Sequence, residues 1–454
     1  MCILVYSILH VIYIQRKDVF TTDGDEVQYL VVTESLVTDH DLSPLNNYLD
    51  HVYIKHGYYQ QPVQVPPLVP GSGGRLVSVN TRFPFLLAPG FWLFKYQGAA
   101  ATMILLSSLA AMFLFLALRK LFRETTALLL TLVFFLSYPF VMYSRLVYPE
   151  TAAVFLLSLA IWASLRLKES GKWAYALLAG ACAALMFQIH MKFVLISVAL
   201  FVLLWACSPR KKRDVVAWGA PVVFSAAALL LITWYLFGPN LWHGLTAGAR
   251  SSDVLGGTPF WGIFGLYLDR AWGLFIFAPL YFAFVPGIPL LRGRRDLTGW
   301  WLFIPACIVL HTLAMGFFGQ WHGGVSPVPR YLVPLIPLFV ICAAILYERC
   351  KNTIVRAFLA LLLAFQVVLT VFALIYPMSV FAIHETANAL IPKVLGRTWL
   401  ARAVVRLFPL LHPVQLKSLL ELVAWLFVLA AISLYLRRRL MEPIYPYLEI
   451  KETR

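Results

Sequence analysis

Apolar runs of about 15–22 residues recur along nearly the whole chain, each close to the length a helix needs to cross a bilayer. A chain of 454 residues that is 61% hydrophobic and 13% charged has no polar surface to spare for a soluble fold. The expected class is therefore an all-α polytopic membrane protein. About twelve transmembrane helices are expected, over 1–15, 99–118, 126–142, 151–166, 173–189, 193–208, 215–237, 273–291, 300–318, 332–347, 357–376 and 419–436. Residues 1–14 are apolar but short for a span and lack a basic flank, so they do not read as a cleavable signal.

The connectors fall into two sets. One is short and basic: 119–123, 166–172, 209–213, 292–295, 349–356 and the tail at 437–439. By the positive-inside rule this set, with the C-terminal tail, faces the cytoplasm. The same placement accounts for the net charge of +16 without invoking nucleic acid. The other set faces outward and is longer, acidic or mixed: 16–83, 143–150, 190–192, 238–272, 319–331 and 377–418. Residues 83–118 are too long for one span. An interfacial helix near 84–96 followed by a single crossing preserves the charge rule, whereas two crossings invert it. The first outer loop is expected to contribute interfacial helices, and the apolar, basic segment 390–412 reads as interfacial too. The six cysteines sit in or beside apolar runs with no metal-ligand spacing and read as core residues.

Ionisable residues collect on the outer side. Glu421 is the main exception, near the start of the last run. Coupled transporters place charges near the midplane, and no repeat relates two halves of this chain. The acidic turn Asp23-Gly24-Asp25-Glu26, followed by Tyr29 and Glu34, supports two readings: a capping turn before a helix starting near Val27, or a site supplying a general base or metal ligand. Asp39, Asp41 and Asp50 read as surface or capping groups. Glu150, in Tyr148-Pro149-Glu150, either favours a helix N-terminus by its charge or acts as a second acid. His190-Met191-Lys192 is a turn so short that Lys192 must lie at the membrane surface, where snorkelling explains it well. Snorkelling explains Arg330 poorly, because the Gly/Pro-shaped loop 319–331 would fix its side chain. Arg82, Arg145, Lys192, Arg270 and Arg330 together suit a phosphate or pyrophosphate. His322 serves equally as a loop hydrogen-bonding residue or a ligand. Nothing resembles a Ser/His/Asp set, a Walker loop or a dinucleotide fingerprint.

The acidic turn after the first apolar run, the long loop and the short basic connectors resemble the polyprenyl-phosphate-dependent glycosyltransferases of the GT-C fold. These include protein O-mannosyltransferases and lipid A aminoarabinose transferases. The residues that carry the resemblance are Gly24-Asp25-Glu26 with Tyr29-Leu30, Tyr148-Pro149-Glu150, His190-Met191-Lys192-Phe193, Asp269-Arg270-Ala271-Trp272-Gly273-Leu274, and Gly323-Gly324 with Pro329-Arg330-Tyr331-Leu332. The resemblance runs from residue 23 to about 340 and makes 1–376 the catalytic region and 377–454 a variable outer loop, last span and tail.

The resemblance implies an integral-membrane enzyme of the cell's inner membrane with its site on the extracytoplasmic face. It would move a hexosyl or pentosyl group from a polyprenyl-phosphate donor to a hydroxyl or amine on a lipid, glycan or protein acceptor, with inversion. Asp25 would be the catalytic base, with Glu26 and Glu150 beside it. Arg82, Lys192, Arg330 and Arg270 would hold the donor phosphate, and Asp23, Tyr29, His190 and His322 would support the site. A divalent cation (Mg or Mn) would be held by Asp25 and Glu150. The chain departs from the aminoarabinose-transferase pattern at Gln28, where that group has Arg, and at Thr81, where an acid is expected. The alternatives are a flippase for a lipid-linked glycan, which should line its path with polar groups, and a scaffold, which should tolerate loss of the acidic turn.

Overall fold

The computed structural model describes residues 1–15, 24–57, 59, 62–63, 65–66, 68–72, 76–78, 82–239, 259–293, 299–324, 326–381, 388–411 and 416–440. Among the described residues, six helices are long and apolar enough to cross a membrane: Phe83–Leu121, Pro149–Ser170, Lys211–Phe237, Arg330–Arg349, Thr353–Ile375 and Lys417–Tyr435. Six shorter apolar helices accompany them: Cys2–Tyr13, Glu124–Phe135, Trp173–Ile189, Met191–Cys207, Pro279–Leu290 and Trp300–Gly316. Together they fall on the twelve runs expected from the sequence, and the protein is an all-α polytopic membrane protein. Among the described residues, the β-structure consists of a two-stranded antiparallel pair, Val69–Pro70 with Leu76–Val77, and an isolated bridge from Pro327 to Phe381. Many large apolar side chains on the long helices point outward, among them Val216, Leu361 and Phe427, as a lipid-facing surface requires.

Two runs differ from the expected continuous helices. Residues 126–142 are helical only to Phe135, then turn before the short helix Phe140–Tyr143. Residues 273–291 break into Leu274–Phe277, a 3-10 turn Pro279–Ala283 and Phe284–Leu290. Pro279 lacks the amide that a continuing helix would use, which accounts for the first break.

The helix Phe83–Leu121 is two arms. Phe94 and Lys95 leave the helical region, Lys95 at φ 51°. The arms fold back on each other so closely that a Cβ on Gly98 would collide with the Gly90 carbonyl oxygen, and one on Gly90 would meet the Gly98 carbonyl oxygen at 2.4 Å. The first arm is far too short to cross a bilayer core alone. This is the arrangement expected for 83–118, with the break at 94–95. The break is held by Glu34, a buried carboxylate bonded to Lys95 Nζ and His56 Nδ1, each at 3.1 Å, and to Thr38 Oγ1 at 2.9 Å.

The two ends of the bundle have different chemistry. At one end the basic connectors are stitched together: Lys120 to Glu169 at 2.7 Å, Arg213 to the Gly171 carbonyl at 2.5 Å, and the Arg123 amide to Glu348 at 2.8 Å. The opposite ends of those helices carry Glu150, Lys192 and Arg330. Residues 388–411 are tied to the turn at 269–270. Asp269 accepts from the amides of Ala271, Trp272 and Leu411, and Arg270 bonds the Phe408 carbonyl and Glu421. Glu421, the exceptional carboxylate of the last run, is therefore an ion-pair partner of Arg270.

Candidate active site

Four helix ends converge. The helix Asp25–Glu34 begins at Gly24, whose φ of 63° favours glycine, and carries Asp25 and Glu26 in its first turn. Negative charge there is favourable. The helix Pro149–Ser170 carries Glu150 in its first turn, the 3-10 turn Met191–Phe193 carries Lys192, and Arg330 opens the 3-10 segment Arg330–Leu335. Gly323, at φ 96°, lets the preceding loop lie against Arg330; a Cβ there would meet Arg330 Cβ at 3.1 Å. The Tyr143 hydroxyl donates to the Pro327 carbonyl and Val328 N donates to the Val380 carbonyl, fixing the loop from two sides.

The centre is a chain of ion pairs. Arg330 donates from Nη1 to Asp25 Oδ2 and from Nε to Glu150 Oε1, both at 2.6 Å. Lys192 Nζ reaches the same Glu150 oxygen at 2.6 Å. Aromatic faces pack under the cations: Tyr148 at 4.6 Å from the Arg330 guanidinium, and Tyr331 and Phe193 each at 5.3 Å from Lys192. His311 Nε2 and the Tyr331 carbonyl are 2.8 Å apart, which orients Tyr331. Among the described residues, Glu150 Oε2 is buried without a hydrogen-bond partner. The side chain of Glu150 is 0% exposed, Arg330 4% and Lys192 7%, whereas Asp25 is 37% exposed. Asp25 is thus the carboxylate of this centre that a second molecule can reach.

Other expected site residues take different places. Glu26 is buried and accepts the Val147 amide at 2.8 Å, fastening the acidic helix to the turn before Glu150. Tyr29 packs edge-on against Phe83 at 5.0 Å. His190 Nδ1 accepts the Lys192 amide at 3.2 Å. Desolvation, then Lys192, with further contributions from Arg330 and Arg82 and opposed by Glu150, pushes His190 well below the usual histidine range, so it is neutral. Arg82 Nη1 is buried with no hydrogen-bond partner among the described residues, and burial lowers its pKa from the ordinary arginine value without removing its charge. His322 stacks on Trp272 at 4.9 Å. Arg270, expected at the donor phosphate, is committed to Glu421 and the Phe408 carbonyl. Asp23 and Thr81 lie outside the described residues. Sequence reasoning did not find the aromatic floor of Tyr148, Tyr331 and Phe193, although all three adjoin residues it singled out. The Glu34–Lys95 pair was also missed, because its partners are far apart in the chain and Lys95 lies inside an apolar run.

The crystal structure of ArnT from Cupriavidus metallidurans bound to undecaprenyl phosphate matches with a TM-score of 0.53 at 14% identity, covering 95% of this chain and 75% of that one. The fold is the GT-C fold. Residues 83–237 also match the family described as dolichyl-phosphate-mannose-protein mannosyltransferase. No curated protein sequence matches the chain. The similarity is thus to membrane glycosyltransferases of the GT-C type. The family match contains Glu150 and Lys192 but neither Asp25 nor Arg330. It is the GT-C fold that brings these four together from both sides of the matched segment.

Proposed function

We propose that this chain is an integral-membrane glycosyltransferase that takes a sugar from a polyprenyl-phosphate donor. The observation that carries the reading is Asp25, an accessible carboxylate at the edge of a buried cation cluster. Lys192 and Arg330 meet on Glu150, and Arg82 is unpaired among the described residues. Cations of this kind suit the phosphate of a lipid-linked sugar. The ArnT that shares the fold was crystallised with undecaprenyl phosphate, which favours the same class of lipid here.

In this reading an acceptor O–H or N–H lies against Asp25. Its heteroatom attacks the anomeric carbon, the bond from that carbon to the phosphate oxygen breaks with inversion, and the acceptor proton passes to Asp25. The departing phosphate gains its second charge beside Arg82, Lys192 and Arg330, in a site whose dipoles and charges are already in place. Glu150 holds Lys192 and Arg330 in position, and Glu26 fixes the helix that presents Asp25. The acceptor is a lipid, glycan or protein side chain, and the site faces the extracytoplasmic side, opposite the basic connectors.

A divalent cation shared by Asp25 and Glu150 does not fit this donor set, because the Arg330 guanidinium already lies between them and bonds both. Among the described residues no group of three or more His, Cys, Asp or Glu side chains converges as a metal site. We assign charge compensation to the three cationic side chains, and transfer is expected to continue in a strong chelator. The test of the function is transfer by purified protein from a synthetic polyprenyl-phosphate sugar. Transfer lost in Asp25→Asn supports the reading, and an Asp25→Asn protein with wild-type turnover refutes it.

A further inference from the structure

Residues 388–411 contain four cations, Lys393, Arg397, Arg402 and Arg406, and no Asp or Glu. All four are exposed. None forms an ion pair among the described residues; Lys393 lies 5.0 Å over the Tyr376 ring. The segment is nevertheless held firmly. Gly396, at φ 67°, reverses the chain, and the Thr398 side chain caps the helix Trp399–Arg406 by accepting the Ala401 amide. Ala401 faces inward and is 2% exposed. At about 100° per residue, Arg402, Arg406 and Trp399 share the opposite arc, with Leu400 and Leu407 on its flank. Trp399 is 73% exposed and Leu407 62%. The Leu407 carbonyl accepts from Trp425 Nε1 at 2.5 Å, and Phe408 to Leu411 are bonded by Arg270 and Asp269. Trp425 is the ninth residue of the Lys417–Tyr435 span and Glu421, the partner of Arg270, the fifth, so the patch is fixed against the N-terminal half of that span.

This face joins a cationic arc, a tryptophan and an apolar flank, beside the N-terminal half of a membrane span. Arg402 and Arg406 stand one helical turn apart, where like charges repel unless an anion lies between them. We propose that the face is a docking surface for anionic phospholipid headgroups of the adjacent leaflet. The arginines and lysine meet the headgroup phosphates, and Trp399, Leu400 and Leu407 enter the acyl boundary. The inference is independent of the transferase reading, since it needs no residue of the ion-pair centre.

The test is native mass spectrometry of the full-length protein, delipidated and titrated with phosphatidylglycerol or phosphatidylcholine. Wild type should retain phosphatidylglycerol over phosphatidylcholine, and Arg397→Gln/Arg402→Gln/Arg406→Gln should lower that retention by more than ten-fold, each cation contributing roughly five-fold. Phosphatidylcholine retention should not change. A second measurement spares the arginines: an environment-sensitive dye on Leu407→Cys should shift to shorter wavelength in nanodiscs containing phosphatidylglycerol relative to phosphatidylcholine alone, and the shift should shrink as salt rises. Equal retention of both lipids, undiminished phosphatidylglycerol retention in the triple variant, or a dye insensitive to lipid charge would each overturn the proposal. Loss of a wild-type dimer in the triple variant, with lipid retention unchanged, would overturn it in favour of a second copy of the chain.

Discussion

Glu150→Gln should be among the most damaging near-isosteric changes in this protein, because it removes the one carboxylate shared by two buried cations. Glu150 Oε1 lies 2.6 Å from both Arg330 Nε and Lys192 Nζ. With an effective dielectric near 20, each unit-charge attraction at about 4 Å is worth about 4 kcal/mol. Glutamine keeps one acceptor oxygen and recovers about 1 kcal/mol as an ordinary hydrogen bond. The repulsion between Arg330 and Lys192 remains in full. The neutral glutamine is also spared the desolvation cost of a buried carboxylate, several kcal/mol, so the expected net loss is about 3–5 kcal/mol, the usual cost of leaving a buried charge without its partner, and a large part of a typical folding free energy of about 5–15 kcal/mol. Five of the six cysteines are buried, so a thiol-reactive dye in detergent reports unfolding directly. Removing one of the two stranded cations should relieve the defect: Glu150→Gln/Lys192→Met should be more stable than Glu150→Gln, although Lys192→Met alone destabilises. A Glu150→Gln protein within about 1 kcal/mol of wild type, or a double variant that simply adds the two losses, would refute the ion-centre account.

Asp25→Asn should lower transfer about 10²–10⁴-fold yet leave unfolding nearly unchanged, since a partly exposed pair contributes about 0–1 kcal/mol and Arg330 keeps Glu150; turnover and dye unfolding on the same preparation separate the two effects. Gly98→Ala should destabilise by about 3 kcal/mol or more, because its Cβ would strike the Gly90 backbone. Gly219→Ala, with nothing within 4 Å, should be neutral or slightly stabilising, and the same dye assay compares them. Asp269→Asn should cost about 1–3 kcal/mol by depriving a buried amide of its acceptor, read as faster hydrogen exchange at Leu411. Chelation should leave transfer within about two-fold of its starting rate, well short of the contribution a catalytic metal makes.

Much of this architecture is legible in the chain because a bilayer imposes few solutions. Length and apolarity marked all twelve apolar segments, and connector charge separated the two ends of the bundle. Asp25 stood out in its acidic turn, Glu150 at a helix start, Lys192 in a turn too short to leave the membrane surface, and Arg330 in a Gly/Pro-shaped loop. What the sequence did not carry was who pairs with whom. Arg270 and Arg330 were both read as phosphate-binding cations of outer turns, yet one bonds Glu421 and the other Glu150 and Asp25, a difference set by the packing of distant helices. Glu26 and Asp25 are adjacent, and the helix turns one toward the Val147 amide and the other toward the open side of the site. The prolines at 279, 286 and 289 were visible signals against a continuous helix over 273–291, but average apolarity concealed them. The Gly90–Gly98 contact depends on a fold-back at Lys95 that no periodicity announces.

The central claim, that Asp25 and its cation cluster act on a lipid-phosphate sugar, is tested most directly by offering purified protein one labelled sugar on two carriers, a synthetic polyprenyl phosphate and a nucleotide diphosphate. At the basic end, the described connectors between successive helices are only a few residues long, whereas a βαβ nucleotide-binding unit needs about thirty. The account predicts label on acceptor from the polyprenyl phosphate, lost in Asp25→Asn, and no transfer from the nucleotide sugar. Label from the nucleotide sugar without any lipid carrier, or undiminished transfer by Asp25→Asn, would contradict it.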